Sequence, residues 1–461
     1  MAEYSAQRLG LPWPASVFRD DDGALRFAGA DIRELAAEFG TPAYLMDEDE
    51  FRGRAQDIQR SFQAAFAEIG AELDVYYASK AFLSVGVARW ITQDGLNLDT
   101  ASGGELTIAL AAGVPGERIG LHGNNKSDDE LRLALNNSVG RIVVDSLAEV
   151  HQVVRIAQEL RVRQVPVMVR LTTGVHAGGH EYISTAHEDQ KFGLSIAAGS
   201  DGAPSPAWVA LEEILRHPEL QLTGVHSHIG SQIQQSAGFA AAAEAVLGLR
   251  AQFYAATGHL FAEVDLGGGF GIAYLPGEVP MDLEIVAKEM AQAVLAVNVD
   301  GNGQRLPLPR FSIEPGRVIA GPAGITLYRV GTVKPVRVSD VVVRTYVSVD
   351  GGMSDNIRPA LYGAHYHAVL ANRESAAAPV LARVVGKHCE SGDIVVHEVQ
   401  LPGDVQAGDL LAVAATGAYG RAMSSNYNML TRPPVISVRE GAGRALIRRE
   451  TYQDFLALDQ G

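Results

Sequence analysis

The 461-residue sequence contains a single cysteine, Cys389, so it cannot form an internal disulfide and is expected to work in the cytoplasm. Positive charge is also scarce, with 38 Lys and Arg against 54 Asp and Glu and a formal net charge of -16. No basic block offsets this acidic excess, which argues against a nucleic-acid partner. We also find neither a secretory signal pattern nor an apolar run near the roughly 20 residues of a membrane helix, so we expect no membrane association.

Hydrophobic residues make up 47% of the chain, enough to bury a large core, and the length suits two domains. Residues 47–321 repeat a unit made of a short apolar strand, a polar tip and a helix. The repeat predicts eight strands: Leu73–Ala78, Leu96–Leu98, Ile119–Leu121, Ile142–Val144, Val165–Leu171, Leu222–His226, Ala262–Leu266 and Arg310–Ile313. Because no nucleotide-binding fingerprint follows the first strand, this pattern favours a (β/α)8 TIM-type barrel over an open doubly wound sheet.

Four helix starts in this region carry a capping-box pattern, in which a short polar residue precedes a glutamate by three positions. The pairs are Asp47 with Glu50, Ser102 with Glu105, Ser127 with Glu130, and Ser146 with Glu149. Residues 176–205, rich in Gly and Ser, interrupt the repeat and predict an irregular insertion.

The two ends of the chain are expected to form a second domain. Residues 322–461 change to period-two patterns typical of a β-sandwich or small barrel, with strands expected at Val341–Val349, Val380–Lys387, Ile394–Val399, Leu410–Ala415 and Val435–Arg439. Residues 1–46 read as a lead-in segment that packs with this β domain.

Lys80 follows the first predicted barrel strand, at the end where barrel enzymes collect their chemistry. Most lysines are solvated surface charges, but apolar residues flank Lys80 on both sides. Such neighbours would desolvate the amine and favour its neutral, nucleophilic form, which suits a Schiff base.

Three further strand ends carry chemistry-bearing residues. The glycine run Gly267–Gly271 is either a tight turn or an anion cradle, and its place after the seventh strand favours the cradle. His226 and His228 end the sixth strand; no third ligand lies at a zinc spacing nearby, so we expect no metal. Either both are buried structural histidines, or one of them lies flat against an aromatic cofactor. Glu314 and Arg317 form a structural ion pair, or bind a heteroaromatic nitrogen and an anion respectively.

The β domain adds candidates in three loops. Charged and turn-forming residues flank Cys389, which indicates exposure and reactivity rather than burial in a core. The segments Arg358–Tyr362 and Gly417–Gly420 are surface decoration, or they place an arginine and two tyrosines for carboxylate or phosphate binding.

Taken together and in order, seven segments resemble the diaminopimelate decarboxylases, pyridoxal-phosphate enzymes of the alanine-racemase-like class. The segments are Tyr77–Ala81, His226–Gln232, Gly267–Gly271, Glu314–Arg317, Gly351–Tyr362, Cys389–Asp393 and Gly417–Asn428. They span nearly the whole chain, and their joint occurrence is far more specific than any one motif.

The resemblance implies pyridoxal 5'-phosphate as cofactor, with Lys80 as its Schiff-base lysine and Cys389 as the acid that protonates the substrate's α-carbon. His228 would stack on the cofactor ring, and Glu314 would pair with its nitrogen. The remaining implied cofactor residues are Ser231, Gly268, Gly269, Gly316, Arg317 and Tyr419.

The implied reaction converts meso-2,6-diaminopimelate to L-lysine and CO2, the last step of lysine biosynthesis. Arg317, Arg358 and Tyr362 would bind the distal carboxylate with neighbouring groups, Tyr419 would adjoin the substrate, and Glu390 would take its distal amine. Members of the family are homodimers in which the Cys-Glu segment completes the partner's active site.

Three alternatives stay open at this point. A sister decarboxylase could act on ornithine, arginine or carboxynorspermidine, although Arg358 disfavours the first two because their distal ends are cationic. A catalytically silent relative would be expected to lack Lys80 or Cys389, and both are present. An alanine-racemase-type enzyme is disfavoured by Glu314 and by the Cys-Glu segment.

Overall fold

The computed structural model describes residues 7–174 and 190–461. These residues divide into two compact units, which we call the sheet unit (Met1–Arg54, Ile272–Val279 and Arg317–Gly461) and the barrel unit (Ala55–Gly271 and Pro280–Gly316). The predicted domain boundaries, at 46/47 and 321/322, lie eight and five residues from the divisions at 54/55 and 316/317, and the prediction places Ile272–Val279 in the barrel. The boundaries stay a prediction. Among the described residues, no helix is long and apolar enough to cross a membrane.

The chain begins in the sheet unit with a small antiparallel sheet in the order β1-β2-β3-β4. Its elements, with those that follow, are β1 (Gln7–Arg8), β2 (Phe18–Arg19), β3 (Leu25–Phe27), β4 (Ala30–Asp31), α1 (Ile32–Phe39), β5 (Ala43–Asp47) and α2 (Glu48–Glu68). Trp13, Phe27 and Leu45 are buried in one hydrophobic cluster with Leu327 and Ile436, so the N-terminal segment shares a core with the C-terminal strands.

The barrel unit alternates strands with helices. Its strands are β6 (Leu73–Ala78), β7 (Asn97–Thr100), β8 (Ile119–Leu121), β9 (Arg141–Val144), β10 (Val165–Thr172), β11 (Leu194–Ser195), β12 (Leu220–Ser227), β13 (Glu263–Asp265) and β14 (Arg310–Ile313). Its helices are α3 (Val85–Gln93), α4 (Gly103–Ala111), α5 (Asp128–Asn136), α6 (Leu147–Leu160), α7 (Pro206–Arg216), α8 (Ala237–Thr257) and α9 (Leu283–Val297).

Eight of these strands close into a parallel barrel. β6 pairs with both β7 and β14, and β9 pairs with β10, while β11 adds to β10 outside the ring. All eight predicted barrel strands are present, with ends within two residues of those expected. The TIM-type fold is therefore confirmed. Continuous apolar runs mark such strands because both of their faces are buried, as in β9, where all four residues are buried.

Only one of the four predicted capping boxes in this region is complete. Ser127 accepts the Glu130 N–H while Glu130 accepts the Ser127 N–H. The other glutamates take different donors: Glu105 accepts the Ala101 N–H, and Glu149 accepts the Asp145 N–H.

The predicted insertion at 176–205 lies partly outside the described residues. Its described part contains β11 and ends at Ser205, whose side chain accepts the Trp208 N–H at the start of α7.

The C-terminal part of the sheet unit contains β15 (Gly324–Arg337), β16 (Val343–Val349), β17 (Ala368–Leu370), β18 (Pro379–Val385), β19 (Ile394–Pro402), β20 (Leu410–Val413), β21 (Val435–Arg439), β22 (Ala442–Ile447), α10 (Arg317–Ala320), α11 (Arg358–Tyr362) and α12 (Tyr452–Leu458). The main sheet runs β19-β18-β16-β15-β5-β21-β22, and β20 pairs with β15 and β17. β5 therefore lies inside this sheet, between β15 and β21.

The longest strand of the unit, β15, was missing from the sequence prediction. It contains Gly331 and Pro335, which usually break a strand pattern, and its register with β16 shifts between Val330 and Val333. Gly331 lies in this bulge, while Pro335 is paired in regular register with Thr345 of β16, so the composition signal fails although the strand forms.

Candidate active site

Lys80 lies where the sequence predicts it, in a single 3-10 turn (Ser79–Ala81) directly after β6. Its neighbours Ser79 and Ala81 are buried, but Lys80 itself is exposed. The expectation that flanking apolar residues desolvate the amine was therefore wrong: the tight turn buries the residues on either side and leaves the lysine exposed.

Glu314, directly after β14, is 3% exposed and is held between two histidines. His122 Nε2 lies 2.9 Å from Glu314 Oε1, and His226 Nε2 lies 3.2 Å from Oε2. The two imidazole rings meet edge to face, with centroids 4.8 Å apart. These two partners of Glu314 come from β12 and the loop after β8.

The electrostatics of this group favour an ionised Glu314. Burial alone would raise the pKa of the Glu314 carboxyl, but His122 and His226 hold it well below its ordinary value. Burial lowers the pKa of His226, which favours a neutral ring that can donate one N–H. Burial also raises the pKa of Asp99, whose Oδ1 lies 3.4 Å from His122 Nε2.

His122, His226 and Glu314 each offer one ligand atom within 4.8 Å of the others. Sequence reasoning found no third ligand beside His226 because the carboxylate lies 88 residues further along the chain. The closed barrel brings Glu314 to His226 from the end of β14, which lies two strands from β12. The expected absence of a metal stays a prediction.

His228 contacts the glycine loop after β13. It is 9% exposed, and its Nδ1 accepts the Gly268 N–H at 3.2 Å. Burial, with Lys80 and Arg170 adding to it, lowers the pKa of His228 well below its ordinary value, so the ring is a neutral acceptor.

The predicted site glycines sit where backbone segments approach closely. A Cβ on Gly268 would lie 2.0 Å from the Glu314 carbonyl oxygen, and one on Gly269 would lie 2.3 Å from that of Gly230. A Cβ on Gly316 would lie 2.9 Å from the Ala78 Cβ. These contacts support a structural role for the three glycines, in addition to their predicted role in binding a ligand.

A buried polar layer behind the loop escaped the sequence reasoning. Arg141 donates from Nη1 to Ser312 Oγ at 2.9 Å and from Nη2 to Asp265 Oδ2, with its guanidinium over the Tyr76 ring. Asp265 Oδ1 accepts the Gly267 N–H at 2.7 Å. This layer fixes the start of the glycine loop. The alternation of β9 places Arg141 inward, but it reads as a surface residue in the sequence.

In the sheet unit, Arg317 and Arg358 share one tyrosine. Both guanidiniums donate to the Tyr274 hydroxyl, Arg358 at 2.8 Å, and Arg358 also donates to the Tyr366 hydroxyl. Both arginines are 7% exposed. Among the described residues, Arg358 has no carboxylate within ion-pair distance, and its Nε has no hydrogen-bond partner.

The two cations polarise the hydroxyl between them. Burial would raise the pKa of Tyr274, but Arg317 and Arg358 lower it. Burial raises the pKa of Tyr366 to about 12. The sequence analysis missed both tyrosines and named Tyr362 instead, a half-buried residue at the end of α11. Tyr419 is half-buried, with Arg317 over its ring at 4.7 Å.

Cys389 is a free, exposed thiol on a loop fixed from behind by His388. His388 Nε2 accepts the Ser354 N–H at 3.3 Å, so the ring proton is on Nδ1 and is donated to Asn428 Oδ1. The same Asn428 oxygen accepts the Cys389 N–H at 3.2 Å. Glu390 is exposed, and its Oε1 accepts the Gly392 N–H.

The predicted residues thus form two groups. The barrel unit gathers Lys80, His228, Gly268, Gly269 and Glu314, while Ser231 lies in the loop after β12. The sheet unit gathers Arg317, Arg358 and Tyr419 in one group, and Cys389 with Glu390 in one loop.

Residues 55–321 match the family model described as "Pyridoxal-dependent decarboxylase, pyridoxal binding domain". The chain is 50% identical over 451 residues to a diaminopimelate decarboxylase of Mycobacterium tuberculosis, covering 97% of each chain. It is 43% identical over 442 residues to that of Bacillus subtilis, covering 96% of each.

Solved structures agree with these relatives. A diaminopimelate decarboxylase from M. jannaschii, crystallised in complex with L-lysine, superimposes with a TM-score of 0.87 at 30% identity, covering 97% of this chain and 98% of that one. One from Helicobacter pylori, also complexed with L-lysine, gives a TM-score of 0.80 at 27% identity, with 92% and 98% covered.

Proposed function

The chain belongs to the diaminopimelate decarboxylase family, and from this membership we propose how its residues divide the work. The enzyme uses pyridoxal 5'-phosphate to convert meso-2,6-diaminopimelate to L-lysine and CO2, a carboxy-lyase reaction of lysine biosynthesis. The assignment of individual residues, the dimer and the compartment are our proposals.

The residues of the barrel unit fit this cofactor. Lys80 is an exposed amine at a strand end, and Glu314 is a buried carboxylate able to hold a protonated ring nitrogen. Ser79 Oγ and Ser227 Oγ are buried without a hydrogen-bond partner among the described residues, as expected of a wall that faces a polar ligand. We assign Lys80 to covalent attachment, His228 to the ring face, and the phosphate to Ser231, Gly268, Gly269 and Tyr419, with Gly316 and Arg317 as further cofactor-binding residues.

When bound, the cofactor supplies an electron sink for the carbanion left by CO2. Glu314 would maintain that sink, because its ionised carboxylate would hold a proton on the ring nitrogen, while His122 and His226 fix the orientation of the carboxylate. Cys389 Sγ delivers a proton to the substrate's α-carbon, which replaces the lost carboxylate. His388 and Asn428 hold the Cys389 backbone, so they are positioning residues for this step.

The observation that carries the substrate assignment is the unpaired cation of Arg358. A buried guanidinium that has only hydroxyl partners is costly unless an anion completes it. The distal carboxylate of diaminopimelate provides that anion in a charge-assisted contact. Tyr274 and Tyr366 hold the Arg358 guanidinium. Arg317, Tyr362 and Tyr419 add contacts to the substrate, and Glu390 binds its distal amine.

We also propose a homodimer that completes its active sites with the Cys389 loop of the other subunit. The loop is exposed in the single chain, and next to it a cavity of about 370 Å³ is lined by Met353, Ile357, Glu390, Gly392, Ser425 and Tyr427. An exposed thiol that must stay reduced suits the cytoplasm. We propose that the domain boundaries lie after residues 46 and 321. The family match ends at residue 321, which supports the second boundary.

Product analysis tests the substrate assignment. The purified protein with added pyridoxal phosphate is given meso-diaminopimelate, ornithine, arginine or carboxynorspermidine, and CO2 and amine products are followed. We expect lysine and CO2 in equal amounts from diaminopimelate alone. Turnover of ornithine or arginine at a similar rate would overturn the role of Arg358, and the Arg358→Met variant shows whether that residue sets the preference.

A further inference from the structure

A second group of metal-type ligands lies on the outer helices of the barrel unit. Among the described residues, only two sets of three His, Cys, Asp or Glu side chains bring their ligand atoms within 4.8 Å of one another. One set surrounds Glu314. The other consists of His151 on α6 with Glu213 on α7 and His217 at the end of α7, and these helices supply none of the residues assigned to the reaction.

The ligand atoms are already near the spacing that a metal requires. Glu213 Oε1 lies 3.1 Å from His151 Nε2 and 3.0 Å from His217 Nε2. A tetrahedral zinc ion with ligand bonds of about 2.0 to 2.1 Å separates its ligands by about 3.3 Å. Small side-chain shifts would therefore admit the ion with the helix backbones in place.

Sequence spacing and exposure both favour the site. Glu213 and His217 are four residues apart, so they lie on one side of the helix turn, and His151 reaches them from the neighbouring helix. The side chains are 54%, 21% and 27% exposed for His151, Glu213 and His217, which leaves an entry path and room for water ligands.

The carboxylate is prepared for monodentate ligation. Arg216 Nη1 donates to Glu213 Oε2 at 2.8 Å, which leaves Oε1 directed at the two histidines. Such a partner behind the ligand fixes its orientation. The hydrogen bonds from His151, His217 and Arg216 lower the pKa of Glu213 to about 2, so the ligand is ionised.

We propose that His151, Glu213 and His217 form a surface site for a divalent transition metal, with Zn²⁺ as its representative ion, that joins α6 to α7. Two imidazoles and one carboxylate oxygen suit Zn²⁺, Cu²⁺ or Ni²⁺ and are a poor set for Mg²⁺ or Ca²⁺, which prefer oxygen ligands. On binding, each Nε2 exchanges its N–H for the metal, and the ring proton moves to Nδ1 or to solvent.

Calorimetric titration of the chelator-treated holoenzyme with Zn²⁺ tests the site, in a Cys389→Ser background that removes the exposed thiol. We expect one saturable Zn²⁺ per chain that Mg²⁺ does not displace, and a higher Tm when Zn²⁺ is bound. Glu213→Gln, which keeps the shape of the side chain, and His151→Ala should each weaken binding on the order of 10- to 100-fold and abolish the Tm increase. His259→Ala, at a half-buried histidine of the same unit, is the matched control and should bind as the parent does.

Two results would overturn the site: no saturable Zn²⁺ binding by the parent, or binding that survives all substitutions at His151, Glu213 and His217. The metal-free Tm of each variant is measured first. If His151→Ala lowers it, His151→Gln replaces that variant, since it keeps a donor to Glu213. Decarboxylase activity with Cys389 restored should not change when the site is removed.

Discussion

His122 Nε2 lies 2.9 Å from Glu314 Oε1, although His122 follows the third barrel strand and Glu314 follows the eighth. His226 contacts the other oxygen of the same carboxylate. The residue proposed to control the cofactor ring is therefore oriented at both oxygens by imidazole groups. This arrangement makes His122 a positioning residue whose effect should be separable from that of Glu314.

Replacing His122 with Leu should lower kcat roughly 10- to 100-fold with little change in KM, because it removes the imidazole 2.9 Å from Glu314 Oε1, and a polar contact to a charged group contributes about 1.5 to 3 kcal/mol. His122→Gln retains a donor and should recover part of the loss. Glu314→Gln should cost on the order of 10²-fold or more. Steady-state kinetics check these values after the absorption spectrum has shown equal cofactor content. Equal rates for His122→Leu and the parent would exclude the positioning role.

Arg358→Met should raise KM for meso-diaminopimelate about 10-fold or more, since it removes a charge-assisted contact to the distal carboxylate. The matched control is Arg344→Met, which removes an arginine of the same unit that is paired with Glu398. Inhibition by L-lysine should weaken in parallel with KM, because the product keeps the distal carboxylate and lacks only the carboxylate of the reacting carbon. An unchanged KM would place the carboxylate elsewhere.

Lys126, in the loop between β8 and α5, has a supporting role in the barrel unit. Its Nζ is buried and contacts Glu149 at 2.5 Å and the carbonyls of Gly123 and Val143 at 2.7 Å. Lys126→Met should lower the free energy of unfolding by about 3 to 5 kcal/mol, because it leaves the Glu149 charge buried and unpaired.

The double variant Lys126→Met with Glu149→Gln should regain part of that stability, since no unpaired charge remains and the amide still accepts the Asp145 N–H. Denaturant unfolding followed by calorimetry or circular dichroism measures the cycle. If the double variant is no more stable than Lys126→Met alone, charge burial is not the cause.

Asp355 in the sheet unit should make stability pH-dependent. It is fully buried, its Oδ1 contacts the Tyr328 hydroxyl, and its Oδ2 accepts the Gly352 N–H. Burial raises the pKa of Asp355 to about 7. The folded state therefore holds a proton that the unfolded state releases near pH 4.

The sign of the pH dependence follows from that difference between the folded and unfolded pKa of Asp355. The contribution of Asp355 is fully present below about pH 4 and is lost as the pH rises to about 7, by up to about 4 kcal/mol. Asp355→Asn should flatten the fall in unfolding free energy between about pH 4 and pH 7. Asp340→Asn, an exposed aspartate of the same unit, should leave the slope unchanged. An equal slope in the parent and in Asp355→Asn would contradict an elevated pKa.

The sequence predicts the barrel well because every strand is short, apolar and followed by a polar tip. It predicts the sheet unit less well: β15 carries Gly331 and Pro335, and its bulge is visible only in the pairing with β16. A local sequence pattern therefore predicts a strand where all of its residues are buried. It fails where a strand contains residues that usually interrupt strands and the pairing with a neighbouring strand tolerates them.

The candidate site divides in the same way. Lys80 and Glu314 follow strands directly, so their position predicts them. Tyr274 and Arg141 acquire their roles from partners far along the chain, as when Tyr274 receives a hydrogen bond from Arg358. The sequence around Tyr274 and Arg141 does not indicate these contacts, which form only in the folded chain.

The shared active site permits a decisive complementation experiment. Lys80→Ala and Cys389→Ala chains are co-expressed with different affinity tags, and the heterodimer is purified through both. If Cys389 of one subunit serves Lys80 of the other, one site of the heterodimer carries both defects and the other carries neither. The heterodimer should then show about half of the parent activity, while each homodimeric variant falls by roughly 10²-fold or more. If each chain instead builds its own site, both sites of the heterodimer are defective and its activity stays at the level of the single variants, because each site then carries one of the two substitutions.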